Sequence, residues 1–520
     1  MLQLSPMQKL RMEYQPKLPP LLKNLSTIGV VASSDVFEKP VISECFPNIA
    51  GQKILHFEAN REKKSLPLKM GVLFSGGQAP GGHNVIAGLF DAMKELNSES
   101  TLLGFLGGPQ GIIDNAYIKI TASLLTNYRN QGGFDLIGSG RTKIESTEQY
   151  QTALKTVKQL DLDGLVIIGG DDSNTNAAFL AEYFLNNGCK TKVVGVPKTI
   201  DGDLKNEHIE ISFGFDTACK VYSELIGNIC RDVLSSKKYY FFIKLMGRSA
   251  SHVTLECAMQ THPNLTLIGE EIEAQNKTLQ QLVEEITDLI CERASQGKDY
   301  GVILIPEGVI EFIPECKQLI SELNVLMGKE VDLSSVSEHL SESSLHCFNA
   351  LSEHIRKQLL IDRDPHGNVK VSKIETERFF IEMVKEQLRK RKSAGIYKGA
   401  FSAKPLFYGY EGRSGFPSTF DCDYCYSLGY VSALVLNNGA TGYMACIQHL
   451  DRPAADWRPA AIPLLSMMDL EMRLGKSKPV IKKALVDLKG EPFLTFQQLR
   501  EDWTLVDGYV YPGPIQYGSN

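Results

Sequence analysis

The residues best suited to chemistry lie in one short loop, residues 197–203, which reads Pro-Lys-Thr-Ile-Asp-Gly-Asp. Phosphoryl transfer to an alcohol needs a cation on the phosphoryl oxygens, a metal ion, and a carboxylate that accepts the alcohol proton. Lys198 is a candidate for the first role, and Asp201 and Asp203 are candidates for the last. A structural turn needs neither the lysine nor the two aspartates, so the composition of this loop favours catalysis.

A second loop, residues 169–173, reads Gly-Gly-Asp-Asp-Ser. Its adjacent carboxylates, Asp171 and Asp172, repel each other unless a cation or a hydrogen-bond donor compensates them. One of them could bind Mg²⁺, a hard ion that prefers carboxylate oxygens. A solvated turn that caps the following helix, predicted near residues 174–186, remains the alternative.

A third loop, residues 76–82, reads Gly-Gly-Gln-Ala-Pro-Gly-Gly and precedes a helical pattern. Its free backbone N–H groups and the helix N-terminus suit a phosphate group. It is not a Walker A loop, because His83 stands where that motif needs lysine, and it lacks the G-x-G-x-x-G spacing. A tight structural turn explains this loop equally well when it is considered alone.

The elements that position these loops have the pattern of buried strands. Apolar runs of strand type lie at residues 70–74, 164–168, 192–197, 240–245, 265–268 and 302–305. Amphipathic helical patterns alternate with them, which implies parallel sheets covered on both faces. Ligands of such sheets bind beyond the carboxyl ends of the strands, where the three loops lie. We therefore predict an α/β fold with two Rossmann-like parallel-sheet domains and helices on both faces.

The whole chain has 520 residues and a net charge of −6. That small acidic excess argues against nucleic acid and anionic membranes as partners. No apolar run approaches the ~18 residues of a membrane span, and the N-terminus lacks the order of a signal peptide, so we expect a soluble cytoplasmic protein. The 11 cysteines are expected to be free thiols in a reducing compartment, because the single C-x-x-C at residues 422–425 has no second element to complete a zinc site.

Five segments, in chain order, resemble the phosphofructokinases from about residue 69 to about residue 450. They are the loop around Gly77, Gly-Gly-Asp-Asp-Ser at 169–173, Pro-Lys-Thr-Ile-Asp-Gly-Asp at 197–203, Met-Gly-Arg at 246–248 and Pro-Glu-Gly at 306–308. ATP-dependent members typically have small residues at the positions of Asp172 and Lys198. This pair resembles instead the pyrophosphate-dependent members in their long-chain form, which also have an N-terminal extension and a helical insertion.

The resemblance implies reversible, Mg²⁺-dependent phosphoryl transfer from pyrophosphate to the 1-hydroxyl of fructose 6-phosphate. It implies that Asp201 is the general base, that Asp203 supports it, and that Asp171 is the metal-associated carboxylate. The pyrophosphate-binding residues that it implies are Gly76, Gly77 and Arg141, the last at the transferred phosphoryl group.

Lys198 and Asp172 are then expected to select the phosphoryl donor. Lys198 suits the transferring phosphoryl group, and Asp172 stands where the α-phosphate of ATP would lie. A carboxylate ~4 Å from a phosphate oxygen costs on the order of 4 kcal/mol at an effective dielectric constant near 20. That energy corresponds to about three orders of magnitude in affinity, which would exclude ATP.

A second group of residues is implied around the sugar phosphate. They are Thr199, Ile200, Lys238, Tyr239, Met246, Gly247, Arg248, Glu307, Tyr410, Glu411, Gly412 and Arg413. Arg248 suits anionic oxygens, Glu307 can accept hydrogen bonds from sugar hydroxyls, and Arg413 is the expected bidentate partner of the 6-phosphate.

The resemblance also favours a homodimer that shares residues across its interface. Bacterial ATP-dependent members have an arginine at the position of Tyr239, which reaches the 6-phosphate in a neighbouring subunit. The adjacent Lys238 could supply that charge here, and Lys404 is a second candidate. An exposed start of a strand is the alternative interpretation of Lys238 and Tyr239.

Four segments are predicted from the patterns and the resemblance together. They are an N-terminal extension (1–65), a pyrophosphate- and Mg²⁺-binding α/β domain (66–215 with part of 415–520), a sugar-phosphate-binding α/β domain (216–310 with 396–414) and a helical insertion (311–395). Two functional alternatives stay open, namely an ATP-dependent phosphofructokinase or related kinase, and a non-catalytic regulatory subunit of the same fold. The intact catalytic loops argue against the regulatory subunit, and a screen of phosphoryl donors distinguishes the kinases.

Overall fold

The computed structural model describes residues 4–36, 39–62, 64–248, 250–327, 335–363, 369–473 and 476–517. The described residues form two compact units. The first unit is drawn from Met1–Ala218, Gly412–Ala484 and Gln516–Asn520, and the second from Cys219–Glu411 and Leu485–Ile515. Parts of the predicted helical insertion, residues 328–334 and 364–368, lie outside the described residues. The finer division into four segments stays a prediction.

Strands and helices alternate along most of the chain. The strands are β1 (Ile28–Val36), β2 (Lys53–Ala59), β3 (Lys69–Ser75), β4 (Thr101–Phe105), β5 (Tyr117–Ile120), β6 (Ser139–Gly140), β7 (Gly164–Gly169), β8 (Lys192–Thr199), β9 (Phe213–Gly214), β10 (Tyr240–Leu245), β11 (Leu265–Thr266), β12 (Gly301–Pro306), β13 (Ala403–Tyr408), β14 (Tyr443–Gln448), β15 (Arg458–Pro463), β16 (Met468–Arg473) and β17 (Lys476–Ile481). The α-helices are α1 (Pro6–Glu13), α2 (Pro40–Cys45), α3 (Gly82–Leu96), α4 (Pro109–Ile113), α5 (Ala122–Thr126), α6 (Thr147–Gln159), α7 (Asp171–Asn186), α8 (Phe215–Ser236), α9 (His252–Thr261), α10 (Gly269–Ala274), α11 (Leu279–Ser295), α12 (Pro314–Met327), α13 (Glu342–Ala350), α14 (Glu353–Ile361), α15 (Thr376–Ser393), α16 (Thr419–Asn437) and α17 (Glu491–Leu505).

The first unit is built on one large sheet, whose main path is β1-β2-β15-β14-β8-β7-β3-β4-β5. Its central strands, from β14 to β4, are parallel. The strands at its two edges pair antiparallel with their neighbours. β7 is buried along its whole length, as expected for a parallel strand between two layers of helices. The α/β fold class predicted from the sequence is therefore confirmed.

The N-terminal region contributes two strands that the sequence did not predict. β2 pairs with β15, and β1 pairs with β2 at the edge of the sheet. β1 shows no buried positions among those described. Its sequence also lacks the alternation of apolar and polar residues that predicts a half-buried strand. The helix α1 also packs closely, because Arg11 is 1% exposed and donates a hydrogen bond to the carbonyl of Pro417 over 2.9 Å.

The second unit contains a parallel four-stranded sheet in the order β11-β12-β10-β13. Phe242 of β10 and Ile303 of β12 share a buried core with Ile286 of α11 and Phe380 of α15. β11 has only two residues and is shorter than the predicted run at 265–268. Within the described part of the chain, no helix is long and apolar enough to cross a membrane.

Candidate active site

Three strand ends of the first unit meet at one edge of its sheet. Ser75 at the end of β3 pairs with Gly169 of β7, and Gly169 pairs with Pro197 of β8. Ser173 Oγ donates a hydrogen bond to Ser75 Oγ over 2.8 Å, and Asn174 Nδ2 donates to the carbonyl of Gly169 over 2.6 Å. Asn174, which is fully buried, also donates to the carbonyl of Val196 in β8 over 3.4 Å, so these bonds link the ends of all three strands.

The helix α7 begins at Asp171, whereas the sequence predicted a start near residue 174. Both Asp171 and Asp172 therefore lie in its first turn, where the partial positive charge of a helix N-terminus stabilises carboxylates. Successive residues of a helix point about 100° apart, so the two side chains face different neighbours. Asp172 accepts a hydrogen bond from Lys143 over 3.0 Å, whereas Asp171 lies 3.9 Å from the ammonium of Lys483.

Lys198 is the central cation of this edge and is 6% exposed. Burial lowers the pKa of its ammonium to about 8, against the opposing influence of Asp201 and Asp171. The guanidinium groups of Arg413 and Arg141 lower this pKa further. One buried cation thus lies near two carboxylates and two further cations, which is an environment suited to a phosphoryl group.

The two aspartates of the third strand end differ in their surroundings. The backbone N–H of Asp201 donates to Thr199 Oγ1 over 3.0 Å, which shapes the turn that presents the Asp201 side chain. Asp203 is 6% exposed. Its burial raises the pKa of its carboxyl to about 7, and the negative charges of Asp201 and Asp171 add to that rise. The environment of Asp203 thus favours its neutral form more than that of an exposed carboxyl would, and the adjacent Asp201 is less buried.

The glycine loop leaves room for cations. Gly76 has a φ of +87°, a left-handed conformation that glycine adopts without strain, and a Cβ on it would lie 3.5 Å from Lys198 Nζ. A Cβ on Gly77 would overlap the Nη2 atom of Arg413 and would lie 3.7 Å from Nη2 of Arg141. The structure therefore brings Gly76, Gly77, Lys198, Arg141 and Arg413 together. Arg413, which the resemblance assigns to the sugar phosphate, lies against the loop assigned to pyrophosphate.

Two cations at this edge of the sheet were not predicted as site residues from the sequence. Lys143 follows Arg141 by two residues, and its charge next to a candidate site residue was the available signal. Lys483 lies far along the chain, in the segment after β17. No motif surrounds it, and only the folded structure brings it to Asp171.

The carboxylates fit a magnesium ion that is completed by its substrate. Among the described residues, no three side chains of histidine, cysteine, aspartate or glutamate converge to hold a metal. Mg²⁺ usually takes only one or two carboxylates, together with water and substrate phosphates. The crowding of Asp201, Asp171 and Asp203, which raises the pKa of the last, provides negative charge for such an ion, and Asp171 is the carboxylate that the resemblance assigns to it.

The second unit gathers most of the remaining predicted residues at the carboxyl ends of its own strands. Leu245 of β10 pairs with Pro306 of β12 and with Tyr408 of β13. The residues that follow these three ends are Met246, Gly247, Arg248, Glu307, Tyr410 and Glu411. Glu307 is 3% exposed and accepts a hydrogen bond from the backbone N–H of Gly247 over 3.3 Å, while Tyr410 is 70% exposed.

Lys238 and Tyr239 are not brought to that cluster. They precede β10, which has six residues, so at about 3.3 Å per residue they lie roughly 20 Å from its carboxyl end. The ammonium of Lys404 lies 4.9 Å from the ring centre of Tyr239. Lys238, Tyr239 and Lys404 thus lie at the opposite edge of the same sheet, where its strands begin.

Comparison with known proteins identifies a family whose model spans these loops. The family model described as phosphofructokinase matches residues 69–433. The chain belongs to the phosphofructokinase family. Among phosphofructokinase relatives, it is 52% identical over 518 residues to a protein of Arabidopsis thaliana named pyrophosphate--fructose 6-phosphate 1-phosphotransferase subunit beta 1, covering 99% of this chain and 92% of that protein. It is 50% identical over 539 residues to the pyrophosphate--fructose 6-phosphate 1-phosphotransferase of Treponema pallidum, covering 99% and 94%.

Solved phosphofructokinase structures share the fold. A pyrophosphate-dependent phosphofructokinase from Nitrosospira multiformis superposes with a TM-score of 0.57 at 15% identity, covering 86% of this chain and 95% of that one. The corresponding enzyme from Marinobacter aquaeolei gives a TM-score of 0.56 at 13% identity, covering 87% and 98%. At these identities the likeness establishes the architecture of the phosphofructokinase fold.

Proposed function

We propose that this chain transfers a phosphoryl group from pyrophosphate to the 1-hydroxyl of fructose 6-phosphate, giving fructose 1,6-bisphosphate and phosphate. Relatives at about 50% identity that cover nearly the whole chain carry the name of that activity. The observation that carries the proposal is the presence of both Asp172, at the start of α7, and the buried Lys198, at the end of β8. This pair is the feature that resembles pyrophosphate-dependent rather than ATP-dependent members.

The proposed chemistry uses the residues of the first unit. Asp201 takes the proton of the 1-hydroxyl of the sugar. The hydroxyl oxygen then forms a bond to the transferred phosphorus while the bridging P–O bond of pyrophosphate breaks and phosphate leaves. Lys198 stabilises the negative charge on the transferring and leaving phosphate oxygens. Asp203 supports Asp201 by orienting either the 1-hydroxyl or a water molecule of the metal site, and Arg141 and the loop of Gly76 and Gly77 hold the pyrophosphate. Mg²⁺ bound at Asp171 would neutralise part of the pyrophosphate charge.

The resemblance assigns a further set of residues to the sugar phosphate. Arg248 and Arg413 bind anionic oxygens, and Glu307 accepts hydrogen bonds from sugar hydroxyls. The turn residues Thr199, Ile200, Met246, Gly247, Tyr410, Glu411 and Gly412 complete this group. Lys238 and Tyr239, at the far edge of the sheet in the second unit, are proposed to serve a second copy of the chain, so the active form is a homodimer. A cytoplasmic location and a role in glycolysis complete the proposal.

A coupled assay with purified chain, fructose 6-phosphate and Mg²⁺ tests the function directly. Pyrophosphate, ATP and ADP are supplied one at a time, and formation of fructose 1,6-bisphosphate is followed. Turnover with pyrophosphate alone supports the proposal. Turnover with ATP instead would favour the ATP-dependent alternative, and no turnover with any donor would favour the non-catalytic subunit.

The loop residues bear on the non-catalytic alternative. The acidic and basic residues of the three loops are all present at the strand ends. Their presence favours a chain that is catalytically active.

A further inference from the structure

Lys483 lies in the first unit, beyond residues 69–433 that match the family model. Its ammonium is 3.9 Å from Oδ2 of Asp171. Its positive charge also acts on Asp203, where it opposes the rise in pKa that burial causes. A cation from the C-terminal part of this unit thus reaches two aspartates of the proposed phosphoryl-transfer site.

The segment that carries Lys483 is fixed on both sides of the residue. Before it, the backbone N–H of Ile481 donates to Thr175 Oγ1 over 2.9 Å, which ties β17 to the helix α7. After it, the backbone N–H of Ala484 donates to the carbonyl oxygen of Asp203 over 2.7 Å. The position of Lys483 is therefore set by the helix α7, which carries Asp171, and by the turn that carries Asp203. The side chain of Lys483 is 28% exposed and stays accessible to a ligand.

Electrostatics make Asp171 a shared partner. The proposed function gives this carboxylate to Mg²⁺, and a divalent cation and an ammonium repel each other at one acceptor. When the metal is bound there, the attraction between Asp171 and the ammonium of Lys483 is weakened, and an anion brought by a ligand can take its place. Pyrophosphate brings several negatively charged oxygens to this edge, and charge-assisted hydrogen bonds from lysine to such oxygens are strong.

We propose that Lys483 is a pyrophosphate-binding residue that pairs with Asp171 in the ligand-free chain and with a pyrophosphate oxygen when Mg²⁺ and pyrophosphate are bound. This inference rests on the proposed function. Lys198 lies beside Gly76, whereas Lys483 lies on the side of Asp171 and Asp203. The ligand would therefore contact one cation from the glycine loop's side and another from the aspartates' side.

Calorimetric titration of the full chain tests this role without turnover. The probes are Mg²⁺ alone, and methylenediphosphonate, a non-hydrolysable pyrophosphate analogue, in saturating Mg²⁺. Lys483→Met should bind Mg²⁺ alone more tightly, because a competing cation is gone, and should bind the analogue roughly tenfold more weakly, the effect of one charge-assisted hydrogen bond. Lys483→Arg should recover most of the analogue affinity. Lys482→Met, which removes an exposed neighbouring charge, should match the unmodified chain.

The opposite direction of the two effects separates binding from structure. Analogue affinity that is unchanged in Lys483→Met would overturn the proposal and leave Lys483 as a counter-ion of Asp171. An equal loss in Lys482→Met would overturn it as well, because a general loss of charge would then explain the effect. In steady-state assays, KM for pyrophosphate should rise while KM for fructose 6-phosphate stays constant. An unmodified chain that turns over pyrophosphate upholds the proposed function even if Lys483 fails, whereas one that neither turns over pyrophosphate nor binds the analogue overturns both.

Discussion

The ammonium of Lys143 donates a hydrogen bond to Oδ1 of Asp172 across 3.0 Å. Asp172 is 43% exposed, and its charge is partly compensated by this partner. The repulsion between Asp172 and an α-phosphate is therefore weaker than an isolated carboxylate would give, since both solvent and Lys143 screen it. The ion pair also occupies space, so we expect both size and charge to contribute to the proposed exclusion of ATP.

Substitutions at Asp172 separate these two contributions. Asp172→Gly removes charge and bulk and should lower activity with pyrophosphate while it begins to admit ATP. Asp172→Asn keeps the bulk and loses the charge, so ATP activity in this variant measures the electrostatic part alone. The ratio of kcat/KM for the two donors is the measurement. An unchanged ratio in Asp172→Gly would contradict the assignment, and the donor preference would need another origin.

Lys198 is expected to act on the same ligand as Asp172. Lys198→Gly alone should mainly lose activity, because it removes a cation that stabilises the transition state while Asp172 still disfavours ATP. The double change to glycine should admit ATP best, and the two effects should be non-additive because both residues face one donor. Donor ratios measured for the two single variants and the double variant test this, and strict additivity would contradict it.

Asp201→Asn should lower kcat by about 10²–10⁴-fold while fructose 6-phosphate binding stays nearly intact, because the amide cannot accept the hydroxyl proton. Asp203→Asn provides the matched control. Burial raises the pKa of Asp203 to about 7, so an amide resembles its protonated form and should cost less. Single-turnover kinetics with both variants measure the difference. A kcat above one third of the original in Asp201→Asn would rule out its role as general base.

The pH dependence of the reaction should reveal Lys198. Burial lowers the pKa of this ammonium to about 8, and only the charged form binds phosphate oxygens. Since the proton is lost as pH rises, kcat/KM for pyrophosphate, which reports the free enzyme, should fall above pH about 8. Lys198→Arg stays charged at all working pH values and should lack this alkaline limb, whatever its maximal rate. An unchanged alkaline limb in that variant would assign the ionisation to another group.

Gly77→Ala should act through Arg413. The added Cβ would overlap the end of the Arg413 side chain, which can move aside, so the fold should survive while the guanidinium is displaced. If Arg413 binds the 6-phosphate, KM for fructose 6-phosphate should rise more than KM for pyrophosphate in both Gly77→Ala and Arg413→Ala. The double variant should be no worse than Arg413→Ala alone. Equal losses for the two ligands, or none, would place Arg413 outside the sugar-phosphate pocket, and a larger loss for pyrophosphate would assign it to the ligand of the loop that it contacts.

Mixed dimers test the residues at the far edge of the second unit's sheet. A Lys238→Ala chain mixed with an Asp201→Asn chain should give hybrids in which one site carries both defects and the other carries neither. Activity should then rise above that of either parent, and a Lys404→Ala chain should behave alike if it serves the same site. The measurement is activity after subunit exchange, verified with two differently tagged chains. Exchange without recovery would show that Lys238 acts in its own chain or in no site.

Strand-end rules explain how much of the site could be predicted. Gly76, Asp171 and Lys198 follow short apolar runs, and parallel register brings such ends together, so their proximity could be expected from sequence. The start of α7 at Asp171 was harder to place, because aspartates fit both a loop and a first helical turn. Lys143 and Lys483 were missed because the identity of a side chain's partner depends on tertiary packing. The strand β1 was missed because an exposed edge strand needs no apolar alternation.

The backbone hydrogen bond from Ala484 to Asp203 sets an order of events during synthesis. A ribosome adds roughly 5–20 residues per second, so the donor leaves the ribosome well after the loops at 76–82 and 197–203 have been made. A nascent chain that has reached residue 433 contains every residue that matches the family and still lacks this bond and the charge of Lys483. The turn that carries Asp203 can gain this bond only after residue 484 has been made.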